Sequence, residues 1–168
     1  IYADDTEANL RWTDIKDVTG VIYYGINEKV VLEGDYRKSL SENCIGVAGY
    51  TGATAKFPVY SSRQAKAKIS FITCTMSAPS TFTDFYNFSI NGERQHSGAS
   101  SLVGADWTDY GIVYLGEYTI EKGLNEITLT APAGKSYTYY HNIRALIIDT
   151  DATTDWNEVE EEAHVCLN

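Results

Sequence analysis

The sequence predicts an all-β fold, an antiparallel β-sandwich of the jelly-roll kind. Three observations point there. The composition favours strands: Thr, Tyr, Ile, Val, Gly and Ser are plentiful, and Met occurs once. Nine or ten short runs alternate apolar with polar residues, or are wholly apolar, and turn residues separate them. No stretch before residue 150 carries a convincing helical period. Many short strands at regular spacing, without helices between them, read as a sandwich or jelly roll.

In chain order, residues 1–10 open a strand and hold the carboxylates Asp4, Asp5 and Glu7. Residues 18–24 and 29–32 read as a hairpin around Gly25-Ile26-Asn27-Glu28, and residues 35–43 as a polar connection. Residues 45–50 form the next strand, Thr51-Gly52 a turn, and residues 53–59 a strand whose Pro58 argues an edge position. Residues 65–75 alternate most cleanly, with Ala65, Ala67, Ile69 and Phe71 on one side and Lys66, Lys68 and Ser70 on the other. A Ser/Thr/Pro loop spans 76–83, and a strand follows over 85–90. Asn91-Gly92 is the strongest hairpin signal in the chain, because both positions of a type I′ turn need positive φ. A Gly/Ser-rich loop over 95–106 leads to Trp107. Strands follow over 112–120, 124–130 and 143–148; the last is almost wholly apolar and therefore reads as buried. The chain divides into a sandwich over 1–150 and an acidic tail over 151–168. In that tail, Trp156, Val159 and Ala163 at i, i+3 and i+7 fit a short docking helix capped by Asp155, and a linker fits equally.

Composition also bounds function. At 168 residues the chain is one domain, able to bury roughly two thirds of its unfolded surface. With 13 Lys+Arg against 23 Asp+Glu, it lacks the clustered cations that nucleic acid or an anionic membrane requires. No apolar run approaches the roughly 18 residues of a membrane span. The opening Ile1-Tyr2-Ala3-Asp4 has no signal-peptide pattern and reads as a mature start or an excised module of a secreted protein. Three cysteines, Cys44, Cys74 and Cys166, show no metal or redox spacing; Cys44 and Cys74 sit in strand-like runs as small buried hydrophobes. The three His residues have no ligand-like spacing, and no G-x-S-x-G, H-E-x-x-H or phosphate loop occurs, so the expectation is a non-catalytic protein. For Asp4, Asp5 and Glu7 two readings stand: a structural Ca2+ site, which favours carboxylate oxygens, or a solvated edge.

Tyrosine is over-represented, with 13 Tyr against 5 Phe and 3 Trp. Between the last two strands, one loop spends Tyr137, Tyr139, Tyr140, His141 and Asn142 in six residues. Neighbours in an extended chain alternate sides, so these rings cannot all face inward. Sugar rings stack their C–H faces on aromatic rings, and their hydroxyls take hydrogen bonds from amides and carboxylates. Trp107 is the largest such surface, Tyr110 a second wall, and Asn142 an amide suited to vicinal hydroxyls. Trp12, Tyr23 and Tyr24 read first as packing residues.

Several runs in order resemble the galactose-binding-like jelly rolls, specifically carbohydrate-binding modules of the family 6 and family 35 type. Tyr2-Ala3-Asp4-Asp5 is similar to their acidic first strand, and Gly46-Val47-Ala48-Gly49-Tyr50 with Lys56-Phe57-Pro58-Val59 to their central strand pair. Phe88-Ser89-Ile90-Asn91-Gly92 resembles their V-x-I-N-G run, Gly123-Leu124-Asn125-Glu126-Ile127 their G-x-N-x-I, and Asn142-Ile143-Arg144-Ala145-Leu146 their N-I-D-x-I. The resemblance covers about residues 1–150. It implies a sugar site of Trp107, Tyr50 and Asn142 in loops at one end of the sandwich. It also implies a structural calcium held in part by Asp4, but Arg144 stands where the second metal-binding Asp is expected. The implied function is a non-catalytic module that targets an appended glycan-degrading catalytic module, in the same parent chain, to a polysaccharide. The acidic balance favours neutral plant-wall glycans such as xylan, mannan or β-glucan over polyanions. The rival expectation is a structural or adhesive jelly roll whose aromatics pack against a protein partner.

Overall fold

A computed structural model describes residues 19–49, 51–74, 80–81, 86–95, 100–101, 107–134 and 141–160. The strands in chain order are β1 (Val21–Tyr24), β2 (Val31–Gly34), β3 (Tyr36–Ser39), β4 (Cys44–Val47), β5 (Ala53–Ser61), β6 (Ala65–Cys74) and β7 (Ser80–Thr81). Then come β8 (Asn87–Ile90), β9 (Glu93–Gln95), β10 (Ser100–Ser101), β11 (Gly111–Ile120), β12 (Gly123–Ala131), β13 (Asn142–Thr150) and β14 (Thr154–Asp155). Two antiparallel six-stranded sheets face each other. The first runs β11-β6-β13-β4-β3, with β1 also on β13; the second runs β14-β5-β12-β8-β9, with β2 also on β5. A short β10-β7 ladder stands apart.

Alternation builds the core between the sheets. In β5, Ala53, Ala55, Phe57 and Val59 are buried, while Thr54, Lys56, Pro58 and Tyr60 are half-exposed on the other face. Asn125, Ile127, Leu129 and Ala131 of β12 and Ala67, Ile69 and Phe71 of β6 point into the same space. Phe71 lies edge-on to Phe57 at 5.9 Å and to Phe88 at 6.5 Å, so one ring ties the two sheets together. The Asn91-Gly92 turn forms as expected, with φ of 53° and 81°. β11 and β12 lie in different sheets, and the buried Asn125 carboxamide holds the corner between them. It accepts from the Glu121 N–H at 2.8 Å and donates to the Glu121 and Gly123 carbonyls at 2.8 and 3.1 Å.

The structure corrects four local expectations. Residues 18–32 are not a hairpin, because β1 pairs with β13 and β2 with β5 in the opposite sheet. The Gly25 N–H still donates to the Arg144 carbonyl at 2.9 Å, and buried Val30 marks the crossing between sheets. The connection at 35–43 contains a strand, β3, whose exposed Arg37 and Lys38 mark a charged sheet edge rather than a loop. Pro58 lies in a central strand; between Lys56 and Tyr60, β5 carries neither β2 nor β14 on that flank, and there a missing N–H forfeits no ladder bond. Residues 151–160 hold a strand and no helix: β14 extends the second sheet beside β5.

Trp156 follows β14 and closes the sandwich at that end. Its ring meets Tyr23 edge-on at 4.9 Å and lies parallel to Phe57 at 6.4 Å. Tyr23 is buried and donates its hydroxyl to Thr154 Oγ1 at 2.6 Å. This end of the tail is therefore part of the core. We predict that Trp156→Ala lowers unfolding free energy by about 2–4 kcal/mol, read as a shifted urea midpoint; an unchanged midpoint would mean that residues 151–160 are an independent tail.

Candidate functional site

The strand registers bring the expected site residues to one end. Asn142 opens β13 opposite Cys74, the last residue of β6, and Gly111 opens β11 opposite Thr73. Trp107 and Tyr110 immediately precede β11, and His141 precedes β13. β4 ends and β5 begins at this same end, joined by residues 48–52. Tyr50, Tyr137, Tyr139, Tyr140, Asp4, Asp5 and Glu7 lie outside the described residues.

Under this end the first sheet is buried on both faces. Cys44, Ile72, Cys74, Tyr110, Ala145 and Ile147 form a second apolar cluster on the face away from the main core, with Ile22, Tyr24, Trp107 and Ile112 packed on it. Cys44 and Cys74 are buried thiols, as their strand context predicts. The Cys74 thiol donates to the Trp107 carbonyl at 3.0 Å, which ties the tryptophan's backbone to the end of β6. Trp107 is half-buried and packs on this cluster. Beside Cys74, the Asn142 carboxamide lies over Gly46 of β4. A methyl group at Gly46 would overlap Asn142 Oδ1, so glycine is required for the amide to rest there.

Tyr110 and His141 stand elsewhere than expected. Tyr110 is 6% exposed, and the Arg144 guanidinium lies 3.8 Å from its ring centroid. That ring face is taken, so Tyr110 supports the site from within and offers no second wall. Burial pushes its hydroxyl far above the usual phenol range. His141 is fully buried, and its backbone N–H and carbonyl both clasp the Tyr86 hydroxyl, at 3.0 and 2.8 Å. It is a core histidine rather than a ligand contact, because alternation turned it inward while Asn142 faces out.

Two residues to which the sequence assigned no part in sugar binding hold the site. A register shift between Ile143 and Ala145 places Arg144 at a bulge on the second face. Its Nε and Nη2 donate to the Asn43 and Glu42 carbonyls at 3.2 and 3.0 Å. Stacking on Tyr110 together with these bonds offsets the cost of burying the charge. The resemblance implies a metal-binding carboxylate at this position. A fixed guanidinium there repels a cation, so the described residues do not fit that metal set. Asp35 holds the 48–52 loop. Its carboxylate accepts from the Thr51 hydroxyl at 2.6 Å and the Thr51 N–H at 2.8 Å, and these bonds keep its pKa below the usual carboxylate range. No signal in a single sequence pairs positions 35 and 51, which lie on different strands' ends.

Two outcomes follow from this geometry. Burial pushes the His141 imidazole from 6.5 down to about 4. Between those values the unfolded chain takes up a proton that the folded protein refuses, so stability falls as pH falls through that window, by about 3 kcal/mol in all. Urea unfolding at pH 7 and pH 4.5 should show this loss in the wild type and a flatter dependence in His141→Gln. Arg144→Lys keeps the charge but not the flat fork, and should cost about 1–2 kcal/mol by the same measurement.

No family model and no curated protein sequence matches the chain. Solved structures do. A family 35 carbohydrate-binding module from Clostridium thermocellum superposes with a TM-score of 0.62 at 16% identity, over 78% of this chain and 99% of that one. A family 35 module from Cellvibrio japonicus gives 0.60 at 11% identity, over 82% and 96%. A β-(1,4)-mannanase from Podospora anserina, which joins a GH26 unit to a family 35 module, gives 0.52 at 13% identity, over 80% of this chain and 28% of that one. These likenesses establish the fold: the chain is a β-sandwich jelly roll of the kind seen in family 35 carbohydrate-binding modules.

Proposed function

We propose that this domain is a non-catalytic carbohydrate-binding module of a secreted protein, and that it holds neutral plant-wall polysaccharide at the Trp107–Asn142 end. One observation carries the reading: a partly exposed tryptophan and an outward carboxamide both meet the end of β6 at Cys74, on a base packed from both sides. The indole supplies a stacking face and the amide both donates and accepts toward vicinal hydroxyls. The shared fold supports the reading, as does the mannanase in which such a module accompanies a catalytic unit. By that analogy the module tethers a glycan-degrading enzyme to its substrate and raises its local concentration there. The burial of Tyr110 and His141 favours a second reading, an adhesive domain whose loops meet a protein, since it removes two of the expected sugar contacts.

Affinity electrophoresis against xylan, glucomannan and mixed-linkage β-glucan separates the two. The wild type should be retarded by at least one glycan, and Trp107→Ala should weaken that binding about tenfold or more, near 1.4 kcal/mol, with an unchanged melting temperature. A folded wild type that none of the glycans retards would leave the adhesive reading standing.

A further inference from the structure

Arg144, Tyr110 and Cys44 close a ring beneath the candidate site. The Arg144 guanidinium lies 3.8 Å from the Tyr110 ring centroid. The Tyr110 hydroxyl donates to the Cys44 thiol. Cys44 follows Glu42 and Asn43 in the chain, and the carbonyls of those two residues accept from Arg144 Nη2 and Nε at 3.0 and 3.2 Å. None of the three side chains is more than 6% exposed.

The ring joins three segments that are far apart in sequence. Register brings them together: Ile143 of β13 faces Ile45 of β4 and Thr73 of β6, and Thr73 also faces Gly111 of β11. Each segment carries or supports a site residue. Tyr110 ends the stretch that starts at Trp107, whose carbonyl is held by the Cys74 thiol at 3.0 Å. Asn142 stands two residues before Arg144 on β13. Gly46, which the Asn142 carboxamide covers, stands two residues after Cys44 on β4.

The acceptors that meet the guanidinium are of the kind a metal ion takes, main-chain carbonyls of a turn. Asn43 holds that turn at a positive φ of 50°. A planar fork with five N–H donors satisfies two carbonyls at once and leaves a flat face for an aromatic ring. A carboxylate at position 144 would meet the same carbonyls with repulsion unless a cation stood between them.

Resting on the carbohydrate reading, we propose that Arg144 is a positioning residue of the Trp107–Asn142 site, and that its guanidinium supplies there the cation that a carboxylate would have to recruit as a metal ion. Arg144 is buried and touches no sugar. It acts through Tyr110 on the Trp107 segment, and through β13 on Asn142. A covalently attached cation cannot be drawn off by a chelator. Sugar binding at this end therefore needs Arg144 and needs no free metal ion.

Affinity electrophoresis with a glycan that retards the wild type tests both halves. After exhaustive EDTA treatment, wild-type affinity should match that in millimolar calcium. In Arg144→Ala, affinity should fall about fivefold or more, near 1 kcal/mol. Ethylguanidinium, which returns the flat cation without its link to the main chain, should restore most of that loss, and ethylammonium should not. If Arg144→Ala fails to fold, Arg144→Lys replaces it, with a loss in the same direction and of smaller size. Wild-type affinity that falls in EDTA and returns with calcium would overturn the proposal and leave the carbohydrate reading intact. So would a folded Arg144 variant that binds as tightly as the wild type, or a loss that ethylguanidinium repairs no better than ethylammonium. A wild type that no glycan retards removes the carbohydrate reading, and this proposal with it.

Discussion

Strand β13 is packed on both faces, and the arrangement of the rest follows from it. Ile143, Leu146 and Ile148 enter the main core, while Ala145 and Ile147 enter the second cluster. Antiparallel sheets commonly leave one face to water, and then their strands alternate. Here the second face is roofed in part by Tyr24, Tyr110, Trp107 and Ile112, so from Ile143 to Ile148 only Arg144 interrupts an apolar run. Two of the roofing residues, Trp107 and Tyr110, come from the loop that carries the candidate site. Trp107 and Asn142 thus stand on a dense block rather than on free loops, which is what a preorganised site needs.

Charge is placed with the same economy. The molecule is acidic, yet the charged side chain buried among the described residues is a cation, Arg144. Its guanidinium is shielded by the Tyr110 ring and by two main-chain carbonyls. Asp35 performs the reciprocal task at the other edge, where its anion gathers the hydroxyl and N–H donors of the 48–52 loop. Both charges organise backbone.

Much of the fold was legible because it rests on short-range patterns. Period-two alternation located β5, β6, β11 and β12 to within a few residues, and Asn91-Gly92 located a turn whose dihedral requirement few residue pairs meet. The misreadings also share a cause. β1 and β2 looked like a hairpin because they are near in sequence, but each found a partner nineteen or more residues away. β3 was missed because an edge strand keeps its charges, and Trp156 suggested a helix because three spaced apolar residues do not say what they pack against. Of the candidate site, Trp107 and Asn142 kept outward positions, whereas Tyr110 and His141 turned inward.

By itself, the sequence determined the fold class, the places of the long strands, the buried character of β13 and the aromatic wealth of one region. These depend on side-chain period and turn chemistry, which are local. Only the tertiary structure decided which strands share a sheet, which aromatics are walls and which are core, and that an arginine lies beneath the site. The ring of Arg144, Tyr110 and Cys44 is the plainest case, since three distant segments meet there only through register. Register is set by the burial of whole faces against one another, and no single stretch of chain contains that information.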